Sequence, residues 1–157
     1  MILLDTHVLI WYLAGHPSLP RSVRERIDET SQVFVSCASI WELGIKGGIK
    51  GKAIFLGKKA INSRESAERL ISACAAEGIK VLDITPEACT IAPFLPSQHK
   101  DPFDRMIAAQ SLVPEKLTLI SADSAFDSFG SGITRFWQTD TLVQVPPRRK
   151  KPNKSIP

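Results

Sequence analysis

The sequence predicts an α/β domain built on a parallel sheet. Short apolar, strand-like runs alternate with longer stretches of helical character along its 157 residues. Four acids, Asp5, Glu42, Asp104 and Asp123, recur at one kind of place, just past such a run or a few residues into the helix after it. In a single parallel sheet all four carboxylates would collect at the carboxyl edge, where open α/β sheets bind ligands.

The elements follow in chain order. Met1 to Leu4 is a short apolar run closed by Asp5 and Thr6, and Val8 to Leu13 continues too long and too apolar for an exposed strand, so it reads as a buried helix stopped at Gly15 and Pro17. Arg21 to Thr30 mixes charged and apolar residues at helical spacing. Val33-Phe34-Val35 is a β-branched and aromatic strand. The helix after it opens at Ser39-Ile40-Trp41-Glu42, with Glu42 in its first turn, and runs through Leu43 and Ile45 to Gly47-Gly48. The Gly- and Lys-rich stretch between Gly47 and Asn62 reads as a mobile linker near the cleft. Ser63 to Glu77 is a helix, Lys80 to Ile84 a short strand ended by Pro86, and Thr85 to Phe94 a helix capped by Thr85. Asp101 is an N-cap, Pro102 the first helical residue and Asp104 the third. Leu117 to Ile120 is a strand with Asp123 at its exit.

Each acid alone has a bland explanation. Ser39 and Glu42 fit the S-x-x-E capping box. Asp101 is an economical cap, and Asp104 or Asp123 would favour the positive end of a helix dipole by roughly 0.3–1 kcal/mol each. Their joint arrangement is harder to dismiss, because every crossover at one sheet edge supplies a carboxylate among apolar neighbours. Carboxylates brought within a few ångströms raise one another's pKa, so a site that keeps several ionised usually holds a hard cation.

On these residues the chain resembles the PIN-domain ribonucleases, and within them it is similar to the VapC-type toxins of toxin-antitoxin pairs. The matching segments are Leu3-Leu4-Asp5-Thr6-His7-Val8-Leu9, Ser39-Ile40-Trp41-Glu42-Leu43, the stretch from His99 to Gln110, and Ile120-Ser121-Ala122-Asp123-Ser124-Ala125-Phe126. The resemblance implies a three-layer PIN-like α/β domain, with a central parallel β-sheet flanked by helices. It implies that the acidic quartet Asp5, Glu42, Asp104 and Asp123 holds one or two Mg²⁺ or Mn²⁺ ions, Glu42 directly or through water. It also implies an endoribonuclease that hydrolyses RNA phosphodiester bonds to 5′-phosphate and 3′-hydroxyl ends, a cognate antitoxin protein that binds it, and a homodimer. Asp101 lies one turn before Asp104 and can share its face. Thr6 and Ser121 stand where they can orient the carboxylates or simply cap helices.

Composition agrees. A chain of 157 residues makes one domain with a sizeable core. The N-terminus lacks a basic leading segment, and no apolar run approaches the roughly 20 residues that span a bilayer. We therefore expect a soluble, cytoplasmic protein. Cys37, Cys74 and Cys89 are odd in number and widely spaced among apolar or small residues, which points to reduced core thiols. His7, His16 and His99 show no ligand spacing, and His7 reads as a packing or hydrogen-bonding residue at a helix start.

The net charge of +4 is concentrated at one end. From Pro146 onward there are Arg148, Arg149, Lys150, Lys151 and Lys154 and no acid, which leaves 15 basic residues against 16 acidic, a net of −1, in residues 1–145. We read 1–145 as the nuclease-like domain and 146–157 as a basic, disordered tail, either solubilising or a sequence-independent hold on phosphate. Two other classes compete with a nuclease. A phosphohydrolase of the haloacid-dehalogenase type would want a second Asp two residues after Asp5, where His7 stands. A catalytically inactive RNA- or partner-binding module remains the alternative, and retention of all four acids counts against it.

Overall fold

The computed structural model describes residues 1–47, 55–56 and 59–139. Its central sheet has five strands, β1 (Ile2–Leu4), β2 (Val33–Ser36), β5 (Ile79–Leu82), β6 (Thr118–Ile120) and β7 (Thr134–Phe136), all parallel, in the order β5-β2-β1-β6-β7. The chain builds outward from β1 on one side through β2 to β5. It then returns to the other side through β6 to β7. The reversal between β1 and β6 is a topological switch point, and in open α/β sheets ligands bind at such a point, beyond the carboxyl ends of the strands.

Short strands with both faces apolar suit a parallel sheet covered on both sides. Side chains alternate: Ile2 and Leu4 face a core with Val8, Leu9, Val23, Ile27, Leu43 and Leu70, while Leu3 faces a second core with Ile107, Ala108, Leu119, Phe126 and Phe129. The first core lies under α1 (Thr6–Ala14), α2 (Arg21–Asp28) and α4 (Arg64–Ala76), and the second under α5 (Pro86–Ile91), α6 (Pro102–Gln110) and the 3₁₀ turn Ser124–Phe129. Three layers follow from this alternation.

Local signals set the helix ends. Gly15 closes α1 with φ 61°, a left-handed conformation that suits glycine. Ser63 caps α4 in a reciprocal box with Ser66, Thr85 caps α5 by accepting from the Ala88 N–H, and Asp101 caps α6 by accepting from the Phe103 N–H at 2.9 Å. α3 (Cys37–Gly47) ends where a Cβ on Gly47 would lie 1.5 Å from the Ile61 carbonyl oxygen, so only glycine fits that contact.

Several expectations need correction. α3 starts at Cys37, directly after β2, because the Ser36 hydroxyl accepts from the Ala38 N–H at 2.8 Å. Glu42 therefore sits in the second turn, and Ser39 and Glu42 form no capping box. In α1 the buried residues are Thr6, Val8 and Leu9, while Ile10 to Leu13 are half-buried against the core and His7 and Ala14 are exposed, so the helix is only partly buried. The helix expected over residues 85–94 breaks into α5 and a 3₁₀ turn, Ala92–Phe94. Of the cysteines only Cys74 is a core thiol, since Cys37 is half-buried and Cys89 is exposed. Within the expected linker, β3 (Phe55–Leu56) pairs antiparallel with β4 (Lys59–Ala60). Residues 48–54 and 57–58, and the basic tail expected at 146–157, lie outside the described residues. Among the described residues no helix is long and apolar enough to cross a membrane.

Candidate active site

Asp5 is the residue that β1 delivers to the switch point. Its backbone N–H extends the ladder to the Ile120 carbonyl at 3.0 Å, which sets the end of β1 beside the end of β6. Its side chain is 4% exposed and accepts from the Ser121 hydroxyl at 2.9 Å. Ser121 Oγ in turn accepts from the Asp123 N–H at 3.0 Å, so one hydroxyl ties the exits of both strands. Burial pushes the Asp5 carboxyl up to about 6; the Ser121 bond and His7 pull it back, and nearby Asp104 pushes it further up.

Glu42 reaches the edge from α3 and is 3% exposed. One of its oxygens, Oε2, lies 2.6 Å from the Thr6 hydroxyl, itself 3.0 Å from Ser39 Oγ; the other, Oε1, is bonded by the Lys46 ammonium one turn further on. Burial works against the Lys46 charge, but the hydrogen bond and charge of Glu42, with Asp101 and Asp104, outweigh it and hold its pKa above the ordinary value. Lys46 is thus a built-in counterion at the acidic edge.

Asp104 projects from the first turn of α6, and its Oδ2 lies 2.6 Å from His99 Nε2. Its pKa is raised, chiefly by burial and further by Asp101 and Glu42, against the lowering effect of His99. Asp101 serves as the α6 cap. Asp123 is exposed and accepts from the Ala125 N–H at 2.8 Å, capping the 3₁₀ turn.

The fold therefore gathers Asp5, Glu42, Asp101 and Asp104 within electrostatic reach and links Asp123 to Asp5 through Ser121, but each carboxylate is also held by a protein group. Among the described residues no three His, Cys, Asp or Glu side chains converge closely enough to hold a metal ion as they stand. The chemistry of the donors still fits a hard divalent cation: all are carboxylate oxygens. Two of them, Asp5 and Asp104, are carboxyls whose burial makes ionisation costly without a positive partner.

Sequence reasoning missed the residues that hold this edge in shape. Arg105 gives each of its five N–H groups to a different backbone carbonyl, Ala92, Pro93, Leu95, Ser97 and His99, at 2.7–3.1 Å. That clamp curves the segment so that His99 folds back onto Asp104. Arg135, on β7, bonds the Ser121 carbonyl at 3.1 Å and pairs through two nitrogens with Asp127. Gln110 is buried and joins three elements, with Oε1 on the Ser36 hydroxyl and Nε2 donating to the Asp83 carbonyl at 3.0 Å. An Asp-Pro helix start followed by Asp-Arg was the available signal for the first of these. Nothing local in the sequence marks the other two.

An open, all-parallel α/β domain with acidic residues gathered at its switch point is the class that fold and site define. The chain belongs to the PIN-domain family, whose model matches residues 2–131. Its fold is similar to that of a chain in the crystal structure of VapBC2 from Rickettsia felis bound to a DNA fragment from their promoter, with 15% identity, 87% of this chain and 98% of that chain covered, and a TM-score of 0.60. It is likewise similar to a chain of DNA-bound VapBC from Salmonella typhimurium, with 20% identity, the same coverage of 87% and 98%, and a TM-score of 0.61. A search of curated protein sequences finds no match.

Proposed function

We propose that this PIN-domain protein is a metal-dependent endoribonuclease of the VapC toxin type. The observation that carries the reading is the position of Asp5, buried at the switch point, bonded to Ser121 and within electrostatic reach of Asp104. Asp5, Asp104 and Asp123 would hold Mg²⁺ or Mn²⁺, with Glu42 directly or through water. When bound, the cation supplies a Lewis acid that acidifies water and offsets the charge of the scissile phosphate. The chain's own residues position the site. Ser121 orients Asp5, Thr6 and Lys46 orient Glu42, and His99 orients Asp104. In the reaction, water adds to phosphorus, the P–O3′ bond breaks, and the ends are a 5′-phosphate and a protonated 3′-oxygen.

The similar solved structures are VapBC complexes, which supports an antitoxin protein as partner, and the homodimer belongs to the same proposal. The test is incubation of the purified protein with labelled RNA and Mn²⁺, with and without chelator. Chelator-sensitive cleavage that Asp5→Asn and Asp123→Asn abolish is the expected result. The engagement of every acid by a protein group favours one other reading, an inactive cleft on an RNA- or partner-binding module. RNA left intact with Mn²⁺ present would establish that reading instead.

A further inference from the structure

Beside the acidic edge stands a ring that the proposed chemistry uses only through its electrostatic effect on Asp5. His7 stands two residues after Asp5, in the first turn of α1, and is exposed. Trp11, one turn on and so on the same face, has its ring 6.0 Å from that of His7. Trp11 also stacks at 6.4 Å and 20° on His16 and lies 6.1 Å from Trp137, which follows β7. A row of aromatic rings thus runs along α1 from its first turn, two residues after Asp5, with His7 within electrostatic reach of that carboxylate. Its inner members, Trp11 and Trp137, are braced against the core, whereas the outer ring of His7 is open to solvent. An exposed imidazole thus flanks an indole, tilted 49° to it, two residues after the buried acid.

We propose that His7, backed by Trp11, is a stacking platform for a nucleobase of single-stranded RNA next to the phosphodiester being cut. Unpaired bases are commonly received on His, Trp, Tyr or Phe rings, and such stacking tolerates any base because each has a π-face. The inference rests on the ribonuclease reading and adds a substrate-positioning residue to it. His7 takes no part in the bond-breaking step.

The test uses the full chain and a labelled single-stranded RNA cut in the Mn²⁺ assay, together with copies carrying one abasic nucleoside beside the cut bond. His7→Ala should raise KM about 5- to 100-fold with a smaller change in kcat, and His7→Phe should restore it. The abasic change should raise the wild-type KM by a similar factor and add nothing further in His7→Ala. An unchanged KM in His7→Ala, or independent multiplication of the two effects, overturns the platform and points to a protein partner for the aromatic row. Failure of wild type to cut RNA would be a failure of the ribonuclease reading alone. The platform is then judged by fluorescence anisotropy of the same RNAs in chelator, where equal or absent binding by wild type and His7→Ala overturns it.

Discussion

His99 Nε2 lies 2.6 Å from Asp104 Oδ2, an imidazole laid against a carboxylate five residues further along the chain. Burial raises the Asp104 pKa, and His99 is the largest influence pulling it back. His99→Ala should therefore leave Asp104 harder to ionise, and the acid limb of the cleavage rate should move to higher pH. His99→Gln, which can still donate to the carboxylate, should shift it less. Superimposable pH profiles for wild type and His99→Ala would show that the pair has no hold on the acid.

Asp5 makes the metal-free protein sensitive to pH in an unusual direction. Its folded-state pKa, about 6, lies above the ordinary value of 3.8, so between those values the folded state binds more protons than the unfolded one. This group's share of stability is greatest below pH 3.8 and is lost as the pH rises through 6. At neutral pH the penalty is at most about 3 kcal/mol. In chelator at pH 7, Asp5→Asn should melt above wild type, and the gap should close as the pH falls toward 4. Thermal melts of both proteins across that range check it, and a gap that is flat with pH would contradict the assignment.

Divalent cation should reverse that penalty. Mg²⁺ or Mn²⁺ bound by the folded state alone stabilises by mass action, about 2.7 kcal/mol at a hundred times Kd. The melting temperature of wild type should rise with added cation, and that of the Asp5→Asn, Asp123→Asn double variant should not. A shift that survives in the double variant would place the ion elsewhere.

Arg105 should be intolerant of lysine. All five guanidinium donors reach carbonyls, and a lysine ammonium has three donors without the planar fork. Arg105→Lys should cost about 2–4 kcal/mol, measured by denaturant unfolding. It should also release His99 from Asp104, visible as a change in the NMR chemical shifts of the imidazole. A variant as stable as wild type would mean the clamp contributes little.

Truncation after Val145 should spare cleavage. If the tail's basic residues neutralise phosphates, the slope of log affinity against log salt on single-stranded RNA should flatten by about 0.7 for each phosphate that the shortened chain leaves free. An unchanged slope would identify a solubilising end, and loss of turnover at saturating RNA would move the domain boundary.

Much of the fold was legible because strong local signals agree with the final structure. The runs expected at residues 1–4, 33–35, 80–84 and 117–120 became the parallel strands Ile2–Leu4, Val33–Ser36, Ile79–Leu82 and Thr118–Ile120, and Asp101-Pro102 started a helix with Asp104 at its third position. Glu42 was misplaced by a turn because Ser36, the last residue of β2, caps α3 with no loop between, while Ser39 and Glu42 imitate a capping box in sequence alone. β7 was missed because Thr134-Arg135-Phe136, with a charged residue at its centre, does not form the apolar run that marks β1 and β6. The contacts of His99 and Arg135 around the acids are set by how the chain curves in three dimensions. Only Lys46, four residues from Glu42 on one helix, had a spacing that gave its partner away.

The hydroxyl of Ser121 and the carboxylate of Asp5 meet across 116 positions of chain. The contact needs β6 paired beside β1, so a polypeptide still emerging from the ribosome holds Asp5 early but gains its partner only after most of the described domain has been made. The acidic edge therefore cannot be complete before β6 and Ser121 have been made, and the order of residues itself serves as a delay.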